Sequence, residues 1–283
     1  MSEAAELTGG LYVVAVPIGA ARDITLRALD VLRDADVIVA EDTRITRKLM
    51  EIHGIALSGR PVLPYHDHNG AAQRPRILAM LAEGKSVAQV SDAGTPLVAD
   101  PGFGLARAAV EAGHRVHAVP GPSALLAALV VAGLPTDRFM FAGFLPSGPS
   151  ARSAMIEELR DVPATLVFFE TARRSLESVK CLADTLGGDR HAALCRELTK
   201  KFEETRRGTL DDLARSIEVD PPRGEVVLLV DRNRMAAGPD ERDKMLTEAL
   251  RTMTVKDAAR HVSDALNLPK RDVYQAALSL SGR

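Results

Sequence analysis

The chain has 283 residues, of which 46% are hydrophobic and 26% are charged, so it can bury one large core or two modest ones. Its formal net charge of -2 excludes the strongly basic character of a protein that binds polyanions over its whole surface, and any nucleic-acid surface must be local. The two cysteines lack metal-ligand spacing, which argues against a zinc site or a disulfide framework and indicates a reducing compartment.

The N-terminal residues MSEAAELTGG carry acidic side chains and lack the apolar segment of a signal peptide. No apolar run further along approaches the roughly 20 residues that a membrane-spanning helix needs. The sequence therefore predicts a cytoplasmic protein that does not enter a membrane.

The first half of the chain alternates short apolar runs with helical patterns. Runs that begin at Leu11, Val37, Val62 and Val87 are separated by stretches such as TLRALDVLRD and TRITRKLMEI, and a fifth run, RVHAV, follows. A strand followed by a helix, repeated with short connections, is typical of an α/β domain with a mostly parallel sheet. We expect this first domain to occupy residues 10–121.

Each apolar run of this domain is followed by an unusual loop. In chain order the loops are VPIG, EDTR, YHDHN, SDAGTPLVADPG and PGPSA. Because ligands of parallel sheets gather at the carboxyl ends of the strands, the convergence of these loops predicts a binding site at that edge.

A second set of apolar runs begins after Pro122 and includes RFMFAGF, TLVFFE, HAALCREL and VVLLVD, bounded by turn signals. These runs predict a second α/β domain over residues 122–235. Beyond it the sequence has no β-like run, and Asn267 and Pro269 mark a turn between two short helices. Residues 236–283 are therefore predicted to form a small helical domain.

Two of the loops have the composition of a close backbone approach to a ligand. SDAGTPLVADPG holds two glycines and two prolines among small residues, although an ordinary tight turn explains this equally well. PGPSA places Ser123 and Ala124 at a helix start, where free N–H groups receive a carboxylate or hydroxyl, or where the serine is a simple cap. Neither SDAGTPLVADPG nor VPIG matches a nucleotide-phosphate motif.

Two further loops, EDTR and YHDHN, are strongly polar. The acids of EDTR fit either a functional site or a capped helix start, since carboxylates favour the first turn of a helix. Two histidines around an aspartate in YHDHN resemble metal ligands, but a polar substrate surface explains the tyrosine and asparagine as well, and no further cluster has metal-site spacing. We therefore expect no metal.

Together, LYVVAVPIGAARDITLRALDVLRDADVIVAEDTR, YHDHN, VSDAGTPLVADPGFGLARAAVEAGHRVHAVPGPSALLAAL and GLPTDRFMFAGFLP resemble the ribosomal RNA small-subunit methyltransferase I family, a branch of the tetrapyrrole methylases. The resemblance runs from about Gly10 to the C-terminus and is densest up to Pro146. It implies a two-domain α/β fold of the tetrapyrrole-methylase type, with the cofactor cleft between the domains and a small C-terminal helical segment. It further implies S-adenosylmethionine as cofactor, a homodimer, and methyl transfer to the 2′-oxygen of a cytidine in the decoding region of 16S rRNA in the small ribosomal subunit.

The resemblance also assigns cofactor-binding residues, motif by motif. In the loops that follow the first set of apolar runs these are Pro17, Ile18, Gly19, Asp92, Ala93, Gly94, Thr95, Ser123 and Ala124, and farther along the chain they are Phe144, Leu145 and the GEVVL segment that begins at Gly224. The chain departs from the family pattern at Ala20, where asparagine is usual, and at Gly70, where glutamate is usual. In FFETARR it keeps Glu170 and Arg174 but lacks the proline and histidine that commonly follow the acid.

Methyl transfer to a ribose hydroxyl requires an in-line approach and a place for the proton. Positioning could supply roughly 7 to 11 kcal/mol of the barrier, and a base would add about 100- to 10,000-fold. Our hypothesis is that the polar loops form the substrate-facing wall, with His66 or Asp67 accepting or orienting the proton. The full set is Glu41, Asp42, Arg44, Tyr65, His66, Asp67 and His68.

RNA would be bound through local basic groups, for which a solvated helix face is the alternative explanation. One group is Arg44, Arg47 and Lys48, and the other is Lys200, Lys201, Arg206 and Arg207. The C-terminal helices resemble a small helix-turn-helix that either contacts RNA or packs on the second domain. Two other functions stay open: a tetrapyrrole or corrin C-methyltransferase of the same fold, and a non-catalytic RNA-binding protein.

Overall fold

The computed structural model describes residues 7–66, 69–99, 102–232, 239–266 and 268–281. Asp67 and His68 of the predicted substrate wall lie outside the described residues. Within the described part, the chain forms two five-stranded sheets and then a set of helices.

The first sheet is entirely parallel. Its strands are β1 (Gly10–Val14), β2 (Val37–Ala40), β3 (Val62–Pro64), β4 (Ser86–Val90) and β5 (Val116–Val119), in the order β3-β2-β4-β1-β5. Every residue of β2 and β4 is buried, because a central parallel strand is covered by helices on both faces of its sheet. The predicted alternation of strand and helix is confirmed in this half of the chain.

Four helices connect these strands and pack on the two faces of the sheet. They are α1 (Leu26–Asp34), α2 (Thr43–Ile52), α3 (Gly70–Ala82) and α4 (Phe103–Glu111). The side chain of Thr25 accepts a hydrogen bond from the Ala28 N–H and so caps α1, and Asp42 caps α2 in the same way. Leu32 lies in the core on one face and Leu105 in the core on the other.

The second sheet is mixed. Its strands are β6 (Phe139–Phe144), β7 (Thr165–Thr171), β8 (His191–Arg196), β9 (Glu204–Thr209) and β10 (Glu225–Val230), in the order β6-β7-β10-β8-β9. The β6/β7 pair is parallel and the other pairs are antiparallel. The runs around β6, β7, β8 and β10 were visible in the sequence, whereas the polar edge strand β9 was not.

Side chains alternate between the two faces of this sheet with a period of two. Leu166 and Phe168 of β7 face a core shared with α6 (Pro149–Glu158), α7 (Ser175–Leu186) and α8 (Leu210–Val219). Val167 faces the opposite side, where α5 (Ala124–Val131) packs together with Ile18 of the first domain. This second core therefore joins the two sheets.

The C-terminal segment is a bundle of α9 (Pro239–Ala249), α10 (Val255–Leu266) and α11 (Lys270–Leu280). Ala258 and Val262 of α10 pack against Val273 and Ala277 of α11 in a core of their own. The domain boundaries at 121/122 and 235/236 stay predictions. None of the described helices is both long enough and apolar enough to cross a membrane.

We expect Phe168→Ala to lower the free energy of unfolding by roughly 3–5 kcal/mol, because a fully buried aromatic side chain would leave a cavity beneath the second sheet. Phe202, which is 63% exposed, is the matched control, and Phe202→Ala should change stability by less than about 0.5 kcal/mol. Urea titration of both variants measures the difference. Equal losses in the two variants would contradict this assignment of the core.

Candidate functional site

A cleft of about 400 Å³ lies between the two sheets, and both domains line it. The first sheet contributes the loops that follow β1, β2, β4 and β5, as expected for the carboxyl edge of a parallel sheet. The second domain contributes the ends of β6, β7 and the first half of β10. Four of the five predicted loops thus converge at the cleft, namely VPIG, EDTR, SDAGTPLVADPG and PGPSA, whereas no described residue of YHDHN lines it.

Most of the predicted cofactor residues line this cleft: Ile18, Asp92, Ala93, Gly94, Thr95, Ser123, Ala124, Phe144 and Gly224. Pro17 and Gly19 flank Ile18 without lining the cleft themselves. Leu145 is 1% exposed and packs in the core of the second sheet, so its side chain stabilises the wall from behind. Its carbonyl accepts a hydrogen bond from the Arg174 guanidinium.

Three loops at the carboxyl edge of the first sheet are hydrogen-bonded to one another beside the cleft. Val16 and Gly94 exchange backbone hydrogen bonds of 2.8 and 3.1 Å, and the Thr95 hydroxyl donates to the Pro122 carbonyl at 2.9 Å. Gly94 has φ +74°, and a Cβ there would lie 3.3 Å from Cγ2 of Ile18. The backbone conformation therefore favours glycine at 94, and a side chain there would also press on Ile18.

The start of α5 opens onto the cleft. Ser123 is its N-cap residue, with φ -146°, and its side chain makes no capping hydrogen bond. Both Ser123 and Ala124 line the cleft, so the first N–H groups of this helix are available to a bound carboxylate or hydroxyl.

The cleft is electronegative. Four carboxylates line it, and none of the described lining residues is Lys, Arg or His. The acids are Glu41, Asp92, Glu170 and Glu225. Phe144 and Phe169 add an edge-to-face aromatic pair with ring centroids 5.7 Å apart. Carboxylates and aromatic faces both attract positive charge, so this arrangement favours a cationic ligand.

Asp42 and Asp92 meet at the edge of the cleft, and their pKa values are shifted in opposite directions. The Asp42 N–H donates to the Asp92 carboxylate at 2.9 Å. Hydrogen bonds from the Arg44 side chain and backbone lower the pKa of Asp42 to about 2. Burial raises the pKa of Asp92, and the charge of Asp42 raises it further. Asp92 is thus a cleft carboxyl that holds a proton more readily than an exposed one.

The other predicted substrate-facing residues lie at different distances from this cleft. Glu41 lines it, and Asp42 adjoins it through Asp92. Tyr65 is 5% exposed and packs in the core under β3, where a Cβ on Gly70 would lie 3.1 Å from its ring. The glycine that departs from the family pattern therefore makes room for Tyr65. The His66 N–H donates to Oδ1 of Asn69 at 2.9 Å, which fixes the backbone of that loop.

Glu225, Val226 and Val227 line the cleft from β10 and belong to the GEVVL segment that the family resemblance assigned to the cofactor. Glu170 and Thr171 line the cleft from the end of β7 and were not predicted to bind the cofactor. The Glu170 carboxylate is buried and accepts hydrogen bonds from the Ser178 hydroxyl at 2.5 Å and the Thr171 N–H at 2.8 Å. The family motif had marked Glu170, but no sequence pattern assigned it to the cofactor site.

Many cations of the predicted basic groups have partners within the chain. Arg44 pairs with Asp42, Lys48 with Glu51, and Arg206 with both Glu204 and Asp220. Arg207 donates to the last carbonyls of α5. These side chains act first as structural contacts. No group of three potential metal ligands occurs in the described ranges.

Comparison with known families places the chain among methylases. The family model described as Tetrapyrrole (Corrin/Porphyrin) Methylases matches residues 10–214, and the model described as RsmI C-terminal HTH domain matches residues 236–281. Solved structures of similar fold include a cobalt-precorrin-4 methyltransferase of cobalamin biosynthesis, with a TM-score of 0.60, 18% identity, and coverage of 82% of this chain and 97% of that one. A diphthine synthase aligns with a TM-score of 0.59 and 18% identity over 78% of this chain and 89% of that one. The predicted fold class is confirmed.

Curated relatives match over nearly their whole length. A "Ribosomal RNA small subunit methyltransferase I" from Mesorhizobium japonicum is 46% identical over 97% of this chain and 93% of its own. Proteins of the same name from Pseudomonas aeruginosa and Escherichia coli O157:H7 are 41% and 39% identical, each over 97% of this chain, with 99% and 96% of their own lengths covered.

We expect Asp92→Asn and Asp42→Asn to change stability in opposite directions at neutral pH. Because the pKa of Asp92 is raised, the unfolded chain loses this proton first as the pH rises above the ordinary value of 3.8, and the folded protein loses stability. Asp92→Asn removes that loss, so the variant should melt above the wild type at pH 7 and converge with it below about pH 4.

For Asp42 the sign is reversed. Its lowered pKa stabilises the fold above pH 3.8, and this contribution is lost as the pH falls through about 2. Asn retains the capping oxygen of α2, so Asp42→Asn isolates the charge. The variant should melt below the wild type at pH 7 and match it near pH 2. Melting curves from about pH 2 to 7 test both variants, and a shift of the same sign at neutral pH would contradict the opposite perturbations.

Proposed function

Because the chain belongs to the tetrapyrrole methylase family, we propose that it transfers a methyl group from S-adenosylmethionine to the 2′-oxygen of a cytidine ribose in 16S rRNA. Its full-length relatives, at 38–46% identity, are named for methylation of the small-subunit ribosomal RNA. The single observation that carries the proposal is the acid-lined cleft at the meeting of the two sheets.

The residues of the cleft fit this cofactor. S-adenosylmethionine carries a sulfonium and an ammonium group against one carboxylate, so its net charge is positive and the surrounding acids stabilise it. Ile18, Val98 and Val227 offer apolar surface for the adenosine. The open N–H groups at the start of α5 suit the cofactor carboxylate. When bound, the cofactor supplies an electrophilic methyl group to the ribose oxygen.

The protein contributes positioning and a route for the proton. The sheet ends and the α5 core hold the cleft walls rigidly, which limits the motion of both reactants. His66 and Asp67 are the proton acceptors proposed from the sequence. Asp92 is a third candidate, because it lines the cleft and its pKa is raised toward neutrality by burial.

A homodimer forms part of the proposal. On β6, Phe139 and Met140 are exposed at the edge of the second sheet, and on α5 Leu126 and Val130 are exposed as well. An exposed apolar edge strand invites pairing or coverage, and a second copy of the chain would cover this surface.

We expect the purified protein to transfer tritium from labelled S-adenosylmethionine to small ribosomal subunits from a strain that lacks this methylation. Nucleoside analysis should place the label in a 2′-O-methylated cytidine. Subunits that already carry the modification are the control and should accept no label. Label on another nucleotide would contradict the proposed target, whereas transfer to an added tetrapyrrole but not to RNA would favour a corrin or porphyrin substrate.

Single-turnover measurements will separate the three candidates for the proton acceptor. Alanine at His66, alanine at Asp67 or asparagine at Asp92 should slow methyl transfer by about 100-fold or more at whichever position acts as the base. His114→Ala is the control, because His114 precedes β5 at the opposite end of the sheet. Unchanged rates in all three variants would leave positioning as the source of the rate.

A further inference from the structure

We propose that the loop Arg196–Lys201 of the second domain is a clamp that holds the cofactor loop Pro17–Ala20 of the first, with Thr199 and Lys200 as positioning residues. The inference rests on the proposal that the cleft binds S-adenosylmethionine. It concerns how the two walls of the cleft are kept at a fixed separation. Thr199 and Lys200 are not among the described residues that line the cleft.

The backbone of this loop is strained. Glu197 has φ +49° and Thr199 has φ +63°, a region that residues with a Cβ seldom adopt. Such conformations persist where surrounding contacts over-determine them, and they cluster at ligand sites. Here the Glu197 N–H donates to the Glu225 carbonyl at 3.1 Å, and the Lys200 N–H donates to the Glu197 carbonyl at 2.9 Å. The strained conformation is therefore stabilised by the start of β10 and by a turn within the loop.

The strained loop contacts the first domain directly. The Ala20 N–H donates to the Thr199 hydroxyl oxygen at 3.0 Å. A Cβ on Gly19 would lie 2.5 Å from Cγ of Lys200 and 2.7 Å from Oγ1 of Thr199, so the two loops touch without space for a side chain. Because the donor of this hydrogen bond is the main-chain N–H of residue 20, the bond forms with alanine at this position as it would with the asparagine usual in the family.

The same loop also holds the opposite wall. The Lys200 ammonium lies 3.1 Å from Oε1 of Glu197 and 2.7 Å from Oε2 of Glu225. Gly224 has φ +85°, and a Cβ there would lie 2.2 Å from Oε1 of Glu197. Since Gly224 and Glu225 line the cleft, Lys200 and Glu197 fix their position and partly neutralise one cleft carboxylate.

Ile18 lies next to Gly19, lines the cleft and packs in the core that joins the sheets. One loop thus fixes Ile18 from one side and Glu225 from the other. Loss of the contact between this loop and the loop at residues 17–20 should let the distance between the two cleft walls vary more, and cofactor binding should weaken as a result. The rate of methyl transfer from the bound state should change far less, because the reacting groups themselves are untouched.

Thr199→Ala removes the acceptor of the interdomain bond, and Thr199→Ser retains it. We expect the Kd for S-adenosylmethionine, measured by calorimetry, to rise about 3- to 10-fold in Thr199→Ala, with KM for the cofactor rising in parallel and kcat nearly unchanged. Thr199→Ser should bind within about twofold of the wild type. The matched control is Thr205→Ala, which loses a hydroxyl contact to Cys195 inside the second domain and should bind normally.

A double-mutant cycle measures the coupling between Gly19 and Thr199 separately from the effect of either substitution alone. Gly19→Ala should weaken binding by itself, and its effect in the Thr199→Ala background should be smaller than in the wild type, because the collision with Oγ1 is gone and only that with Cγ of Lys200 remains severe. Melting temperatures of all variants show whether a change in Kd merely follows unfolding.

The outcomes separate the two proposals. A wild-type protein without affinity for S-adenosylmethionine overturns the proposed function and this role of the loop with it. A wild-type protein that binds while Thr199→Ala binds equally well overturns the clamp alone. Equal losses in Thr199→Ser and Thr199→Ala, or a fall in kcat at unchanged KM, would also overturn it.

Discussion

The hydrophobic contact of Ile18 and α5 with one face of the second sheet is the constraint on which the rest of the structure depends. Ile18 is 8% exposed and shares a core with Leu129 of α5 and with Val227 of β10. The two sheets otherwise have cores of their own. This contact therefore sets the distance at which loops from the carboxyl edge of one sheet face strand ends of the other, and a cleft of this size follows from it.

Four carboxylates around one cleft would repel each other unless their charges were balanced. The structure places cations just outside the lining: Arg174 beside Glu170, Lys200 beside Glu225, and Arg44 beside Asp42 at the edge. The cleft stays acidic toward a ligand while the fold is relieved of much of the repulsion. In the proposed reaction, methyl transfer abolishes the sulfonium charge of S-adenosylmethionine, so the spent cofactor would be held less strongly than the fresh one and would be released more readily.

The sequence predicted the parallel sheet, because its strands are buried apolar runs followed by polar or glycine-rich loops. It predicted the first-domain wall of the cleft for the same reason. The second-domain wall depends on pairing between distant segments: β8 lies beside β10, which brings Glu197 to Glu225. The spacing of apolar residues along the chain does not indicate that pairing. β9 also escaped prediction, because an edge strand of sequence ETRRGT uses its arginines for ion pairs and a helix cap rather than for a core.

RNA recognition by this chain cannot depend mainly on bulk electrostatics. The formal charge is -2, and Arg44, Lys48 and Arg206 are already paired with carboxylates of the same chain. The Arg44 side chain is 88% exposed but shares its charge with Asp42, so a phosphate at Arg44 would meet a cation that is already partly balanced and would release fewer counterions. Binding then has to depend more on the shape of a folded RNA and on contacts to an exposed nucleotide than on a basic surface. Such a protein would discriminate its ribosomal target by fit, and free RNA without that shape would be a poor substrate.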